Sequence, residues 1–273
     1  MAQHNSGERV NFFRSASVPG AELLIANNST RMWRVFHETY TLCSCAQAAA
    51  SWRYGVNDLF VGDHGSMLME PGETHFNTAV NKPADYKIIF IPPALVTDAA
   101  RELGLASIPH LRCASSNDPK LFFTVYRFCG AVESGASVLE QQSLFTECVQ
   151  MLLENTERRP QQPRGRNEHY AVARIKRYLQ ERFAEPVSLD ELVTLTGLSR
   201  YHLVRTFTKH VGVAPHTYQI LLRIARASTL LRVGVSPVCA SNELGFADQS
   251  HFTRHFKRCW GVTPSNYQNA TKR

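Results

Sequence analysis

The stretch GLSRYHLVRTFTKHVGVAPHTY, residues 197–218, recurs in altered form as GFADQSHFTRHFKRCWGVTPSNY, residues 245–267. Leu203, Phe207, Gly212, Pro215 and Tyr218 of the first are matched by Phe252, Phe256, Gly261, Pro264 and Tyr267 of the second, each pair 49 positions apart. The leading glycines, Gly197 and Gly245, stand 48 apart, so the second turn carries one extra residue. Glycine admits the left-handed backbone of a sharp inter-helix turn, and proline is tolerated in the first turn of a helix. Each copy therefore reads as turn, helix, glycine stop and proline-led helix. A solenoid needs three or more repeats, so two copies point to a duplicated unit.

The flanking signals extend this reading. Val172, Ile175, Tyr178, Leu179 and Phe183 recur at helical spacing over 168–183, and Pro186 closes that helix. Ser188 with Glu191 three residues later is a capping box that starts a short helix, and Ser199 caps the next one. The helix from Arg200 to Val211 is expected to bury Leu203 and Phe207. Arg200, Tyr201, Val204, Arg205 and Thr208 then lie on its outer faces, with Lys209 on the flank. Pro215 opens a long helix to about Arg232. In the second copy Val238–Leu244 form the short helix, and Asp248 caps Gln249–Trp260. Gln249, Ser250, His251, Arg254 and Lys257 are expected to be accessible there.

Charge follows the same division. The 273 residues carry a net charge of +7. Residues 168–273 hold 15 basic and 7 acidic side chains, whereas residues 1–157 hold 11 basic and 16 acidic ones. A basic C-terminal third behind an acidic N-terminal part is the electrostatic footprint of a polyanion binder confined to one domain. Between them, residues 158–167 carry four arginines, two glutamines, a proline pair and a glycine, and read as a linker. No apolar run approaches the ~20 residues of a membrane span, and the polar start lacks the apolar core of a signal peptide. Seven irregularly spaced cysteines fit reduced thiols, so a cytoplasmic location is expected.

Residues 20–95 read as β structure: Thr39–Cys45, Ser51–Tyr54, Ser66–Met69 and Tyr86–Ile91 are separated by turn signals at Gly62-Asp63, Pro71-Gly72 and Asn81–Pro83. Short, closely spaced strands argue for a sandwich or barrel. Three helices are expected to trail it: Pro93–Leu103, one opened by Asp118-Pro119, and one over Ser137–Glu157. The last carries an apolar stripe through Leu144, Cys148, Val149 and Leu152 that suits either the barrel's core or a dimer seam. The whole is an α+β chain: 1–157 a sensor and dimerisation domain, 158–167 a linker, and 168–273 an all-α domain with two helix-turn-helix units.

An α-helix fits the major groove of B-DNA, where all four base pairs are distinguishable, and Arg and Gln offer bidentate contacts to guanine and adenine. Arg205 and Arg254 hold matching positions in the two copies. Two such helices on a rigid connection could enter successive major grooves, about 34 Å apart. Residues 170–267 resemble the AraC/XylS family of transcription regulators, most closely over 245–267. That resemblance implies base contacts from Tyr201, Val204 and Arg205, then Gln249, Ser250 and Arg254. Arg200, Lys209, His251 and Lys257 complete the expected DNA-facing set. Val193 and Ala240-Ser241 depart from the family's packing residues without touching a base contact.

The N-terminal part is similar, more loosely, to the cupin-like sensor barrels of such regulators, through His37–Tyr40 and Pro71–His75. That likeness implies an effector pocket, for which His37, Tyr40, Trp52, His75 and Phe76 are the candidates, with Trp33 and Tyr54 as further aromatic walls. His37, His64 and His75 raise a metal reading, but the paired His-x-His of metal cupins is absent, so neither metal nor other cofactor is expected. Cys43 and Cys45 share one face of a strand; with no adjacent basic residue to lower a thiol pKa, they read as small buried hydrophobes. Arg31 and Arg34 could clamp an anion or simply be solvated. The expected protein is a non-enzymatic regulator of promoter DNA, working as a homodimer with a small-molecule effector and RNA polymerase. A cupin-type metal enzyme tethered to DNA and an architectural DNA binder are the alternatives.

Overall fold

The computed structural model describes residues 7–47, 50–55, 57–105, 110–111, 115–157 and 166–271. The arginine-rich stretch read as a linker lies, over 158–165, outside the described residues. Nine strands come first: β1 (Arg9–Arg14), β2 (Glu22–Ser29), β3 (Arg34–Phe36), β4 (Tyr40–Ala46), β5 (Ala50–Tyr54), β6 (Asn57–Val61), β7 (Gly65–Met69), β8 (Thr74–Val80) and β9 (Ala84–Ile91). Then follow α1 (Pro93–Glu102), the two-residue strands β10 (His110–Leu111) and β11 (Ser115–Ser116), α2 (Pro119–Glu133), α3 (Val138–Glu154) and β12 (Thr156–Glu157).

The strands form two main antiparallel sheets, ordered β1-β2-β9-β4-β7-β11 and β3-β8-β5-β6, with β10 and β12 paired apart. Their inner faces share one core, in which Leu24, Cys43, Met67 and Tyr86 of the larger sheet meet Val35, Trp52 and Val61 of the smaller. The outer face of the larger sheet carries α1, α2 and α3 in a second core that includes Leu42, Ile89, Leu121, Phe128, Leu144 and Cys148. The stripe of α3 is therefore packed on this sheet. Strand parity sorts the residues: Cys43 and Cys45 point into the barrel while Tyr40 and Leu42, one position off, point at the helices.

Among the described residues seven helices follow: α4 (Arg166–Glu181), α5 (Leu189–Thr196), α6 (Arg200–Val211), α7 (Pro215–Arg232), α8 (Pro237–Glu243), α9 (Gln249–Trp260) and α10 (Pro264–Thr271). The capping box is present, with the Ser188 side chain accepting from the Glu191 amide and Glu191 accepting from the Ser188 amide. Ser199 and Asp248, 49 apart, each accept from the amide three residues on, a cap worth about 1 kcal/mol. Gly212 and Gly261 end α6 and α9 in left-handed conformation. Arg223, buried on α7, ties the units together by donating to the carbonyls of Phe183 (2.7 Å), Glu185 (3.1 Å) and Gly245.

These helices share the barrel's inner core. Both α7 and α9 pack on β3, and α10 packs on β1. Phe12 of β1 meets Trp260 at 5.8 Å and Tyr267 at 5.0 Å between ring centroids, and such pairs add about 0.5–1.5 kcal/mol beyond their burial. Polar contacts ring this seam. Tyr267 donates to Glu22 (2.9 Å), Lys176 pairs with Glu73 (3.2 Å), Arg226 with Glu38 (3.7 Å), and Thr74 donates to the carbonyl of Val211. The charge contrast between the two halves is thus partly matched across their own interface.

Candidate nucleic-acid interface and barrel cavity

On α6, Tyr201 is 91% exposed, and Arg205, Thr208 and Lys209 are exposed around it. Leu203 and Phe207 are fully buried beneath them. The Tyr201 ring stands open to solvent at the start of a helix capped by Ser199. Val204 is half-buried. Arg200 is exposed but engaged in a two-pronged pair with Asp190, at 2.8 and 2.7 Å. This face borders an open cleft of about 1510 Å³ whose other walls include α4 and the barrel's Arg53 and Glu73.

On α9, Gln249, Ser250, Arg254 and Lys257 are exposed. His251 corrects the expectation of an accessible residue. Its ring lies 5.6 Å from Phe246 and 4.6 Å from His255, and its Nδ1 is buried. The helical turn that aims Phe252 at the core brings its neighbour partly with it. Repulsion within this basic helix and burial show at His255, pushed down to about 4, chiefly by burial and then by His251, Arg254 and Arg258. Helices α6 and α9 therefore present Tyr201, Arg205 and Lys209 on one and Gln249, Ser250, Arg254 and Lys257 on the other.

The barrel encloses a cavity of about 30 Å³ lined by His37, Trp52, His75, Trp33, Tyr86 and Phe90 among others. Three of the five expected effector residues meet there. Tyr40 and Phe76 do not. Tyr40 faces the helices α1–α3. Phe76 follows inward-facing His75 on β8, so it turns to the other side, where Arg34 lies over its ring at 4.7 Å. The two imidazoles stand 5.2 Å apart. Burial pushes His75 down to about 4 and His37 well below its ordinary value, with His75 adding to the effect on His37, so both are neutral at pH 7.

His64 is remote from this pair, its ring resting on Phe122 of α2 at 4.7 Å. Among the described residues no group of three or more His, Cys, Asp or Glu could hold a metal ion. Burial pushes the Cys43 thiol well up and Cys45 up to about 12, so neither is a thiolate at neutral pH. Arg31 is held by Glu8 at 2.6 Å. Sequence reasoning missed Cys259 and Trp260, which come from α9 and close the cavity; no local pattern marks a residue that docks onto another domain.

A helix-turn-helix domain family matches residues 192–270. The HTH-type transcriptional regulator YbfI of Bacillus subtilis is 28% identical over 218 residues, 79% of each chain. The HTH-type transcriptional activator RhaS of Escherichia fergusonii is 35% identical over 88 residues, and that match spans only 32% of either chain. Among solved structures, an apo single-residue variant of ToxT from Vibrio cholerae covers 96% of this chain and all of its own, with 12% identity and a TM-score of 0.54. Unsaturated fatty acid bound ToxT gives 0.51 over 98% of this chain and 97% of its own, again at 12% identity. At this identity the likeness is one of fold alone, and it takes in both the strand-rich and the helical part of the chain.

Proposed function

We propose that this chain, whose residues 192–270 match a helix-turn-helix domain family, is an AraC-type transcription regulator that reads promoter DNA with α6 and α9. The observation that carries this is the equivalence of Arg205 and Arg254. They are exposed, 49 positions apart, at the same place on two helices with the same caps. Tyr201, Val204 and Arg205 face base edges in one major groove, and Gln249, Ser250 and Arg254 in the next; Lys209 and Lys257 neutralise phosphates. Arg200 reaches DNA by exchanging Asp190 for a phosphate, and His251 only flanks the contact.

The barrel acts as the sensor: a small-molecule effector bound there changes how the C-terminal helices meet DNA. This reading makes the chain a binding protein rather than an enzyme, acting as a homodimer in the cytoplasm with RNA polymerase as its further partner. The names of its relatives support regulation, and ToxT of the same fold has been seen with a fatty acid bound. The test is a footprint of the full chain on genomic fragments. Protection of discrete sites with two contacts one helical turn apart is expected; uniform protection without sequence preference refutes regulation in favour of architectural binding.

A further inference from the structure

Three polar groups at the barrel cavity have no hydrogen-bonding partner among the described residues: Thr41 Oγ1, Trp52 Nε1 and Tyr86 Oη. Their side chains are nearly inaccessible, at 1%, 5% and 2% exposure. Leaving such a group unsatisfied costs about 1–3 kcal/mol, so three around one space is a strong indication that something polar belongs in it. The lining holds no carboxylate, ammonium or guanidinium, and the two imidazoles are neutral. A charged guest would find no counter-ion, whereas an uncharged one with an acceptor would find the Trp52 N–H and two hydroxyls. The walls are flat: Trp52 lies 6.4 Å from both His75 and Tyr86, and Phe90 lies 4.8 Å from His37.

At about 30 Å³ the space suits one or two waters and nothing larger. An aromatic ring needs on the order of 150 Å³, so a wall must yield. Most of the walls are strands locked in hydrogen-bonded ladders. The exceptions are Trp33 and His37, which flank the short strand β3, and the end of α9, the one wall that comes from outside the barrel: Trp260, 5% exposed, has its ring 5.4 Å from His37 and 5.3 Å from Phe90. It is held there by packing and by the Cys259 thiol donating to the Arg34 carbonyl at 3.3 Å. α9 is also the helix that exposes Gln249, Ser250 and Arg254.

We infer that the barrel takes an uncharged, planar aromatic ligand bearing a hydrogen-bond acceptor, and that this ligand occupies the place of the Trp260 indole. Ligand entry and release of the C-terminal end of α9 from the barrel are then one event. The effector does not act through a chain of intermediates, because the side chain it displaces belongs to a DNA-reading helix. This rests on the sensor reading above and adds to it the ligand's chemistry and the moving part.

The test uses the full chain and one probe, phenol, which is uncharged at neutral pH, planar and able to accept a hydrogen bond through its oxygen, titrated by calorimetry. Wild-type protein must open to bind, so its apparent affinity carries the penalty of the closed state. Trp260→Ala removes the plug, and phenol is expected to bind it at least about tenfold more tightly and to raise its thermal midpoint. In the wild type, saturating phenol is expected to speed amide exchange over residues 256–261. Equal affinity for both proteins, or unchanged exchange in the wild type, overturns the displacement. Should Trp260→Ala not fold, Trp260→Phe carries the same comparison with a smaller gap. Trp52→Phe is expected to weaken phenol and not its hydrocarbon counterpart, toluene; equal loss on both overturns the polar role. Footprinting without probe is scored separately, so loss of sequence-specific binding there indicts the regulator reading, and failure of the phenol titration indicts only the ligand.

Discussion

Gly212 and Gly261 hold the same place in the two helix-turn-helix units, and both end against the barrel. A methyl group on Gly212 would meet the carbonyl oxygen of Gly55 at 3.0 Å, and one on Gly261 would meet Trp33 at 3.2 Å. Both have positive φ, +82° and +79°, where a side chain also costs about 1–2 kcal/mol of backbone strain. Gly197, at +71°, has nothing within 4 Å of the same methyl. Alanine at 197 is therefore expected to show strain alone. At 212 and 261 it should cost about 1 kcal/mol more, because tight packing resists an added carbon. Urea denaturation of the three variants checks this, and equal losses would mean that the barrel does not hold the helix ends.

Arg205→Ala and Arg254→Ala are each expected to cost about 1–3 kcal/mol on a specific site and to relax sequence preference in one half of it. Lys209→Ala and Lys257→Ala should instead weaken specific and random DNA alike and lower the salt slope by about one each. Titrations at several salt concentrations separate the two classes. An arginine variant losing equally on random DNA would be reassigned to phosphate.

Arg223 satisfies carbonyls at the end of α4 and at the turn after α8. Lysine has the charge but not the planar fork, so Arg223→Lys leaves some of these buried carbonyls unpaired. A loss of about 2–4 kcal/mol is expected, against little change for the exposed Arg177→Lys. Thermal unfolding compares them; a near-neutral Arg223→Lys would show that the contacts to Gly245 and Glu185 are dispensable.

The barrel imidazoles predict a pH dependence of definite sign. In the unfolded chain they protonate near 6.5, whereas in the fold burial holds His75 down to about 4 and His37 well below its ordinary value. Between those values the unfolded state binds more protons, so stability is complete above pH 6.5 and falls as pH drops towards 4. The slope is at most about 1.4 kcal/mol per pH unit for each group. His255, also held down to about 4, adds to the wild-type curve, so the informative quantity is the difference between wild type and His75→Gln. A variant curve as steep as the wild type between pH 6.5 and 5 would remove His75 as a source.

The helix-turn-helix pair was readable because its signals are local. Caps at Ser199 and Asp248, stops at Gly212 and Gly261 and prolines at 215 and 264 act within a turn of where they stand. Strand faces were readable only in relative terms. Cys43 and Cys45 had to share a side, and by the same parity Tyr40 had to take the other, yet His37 and Tyr40 were grouped as pocket residues. His75 and Phe76, as neighbours on a strand, could not both face inward. β1 carries no strand signal because Arg9, Asn11 and Arg14 make it polar, although Phe12 is the residue that meets Trp260. Trp260 itself read as a packing position on its own helix, since nothing in 245–267 records the shape of a barrel 200 residues earlier.

The aromatic seam through Phe12, Trp260 and Tyr267 makes the two halves poor candidates for truncation. Cut at the arginine-rich stretch, residues 1–157 would open the mouth holding His37, Phe90 and Trp33 to water, and residues 168–273 would present Trp260 and Tyr267 as a sticky apolar face. Either piece alone invites aggregation, and a chimera that borrows only one half inherits a seam with no counterpart.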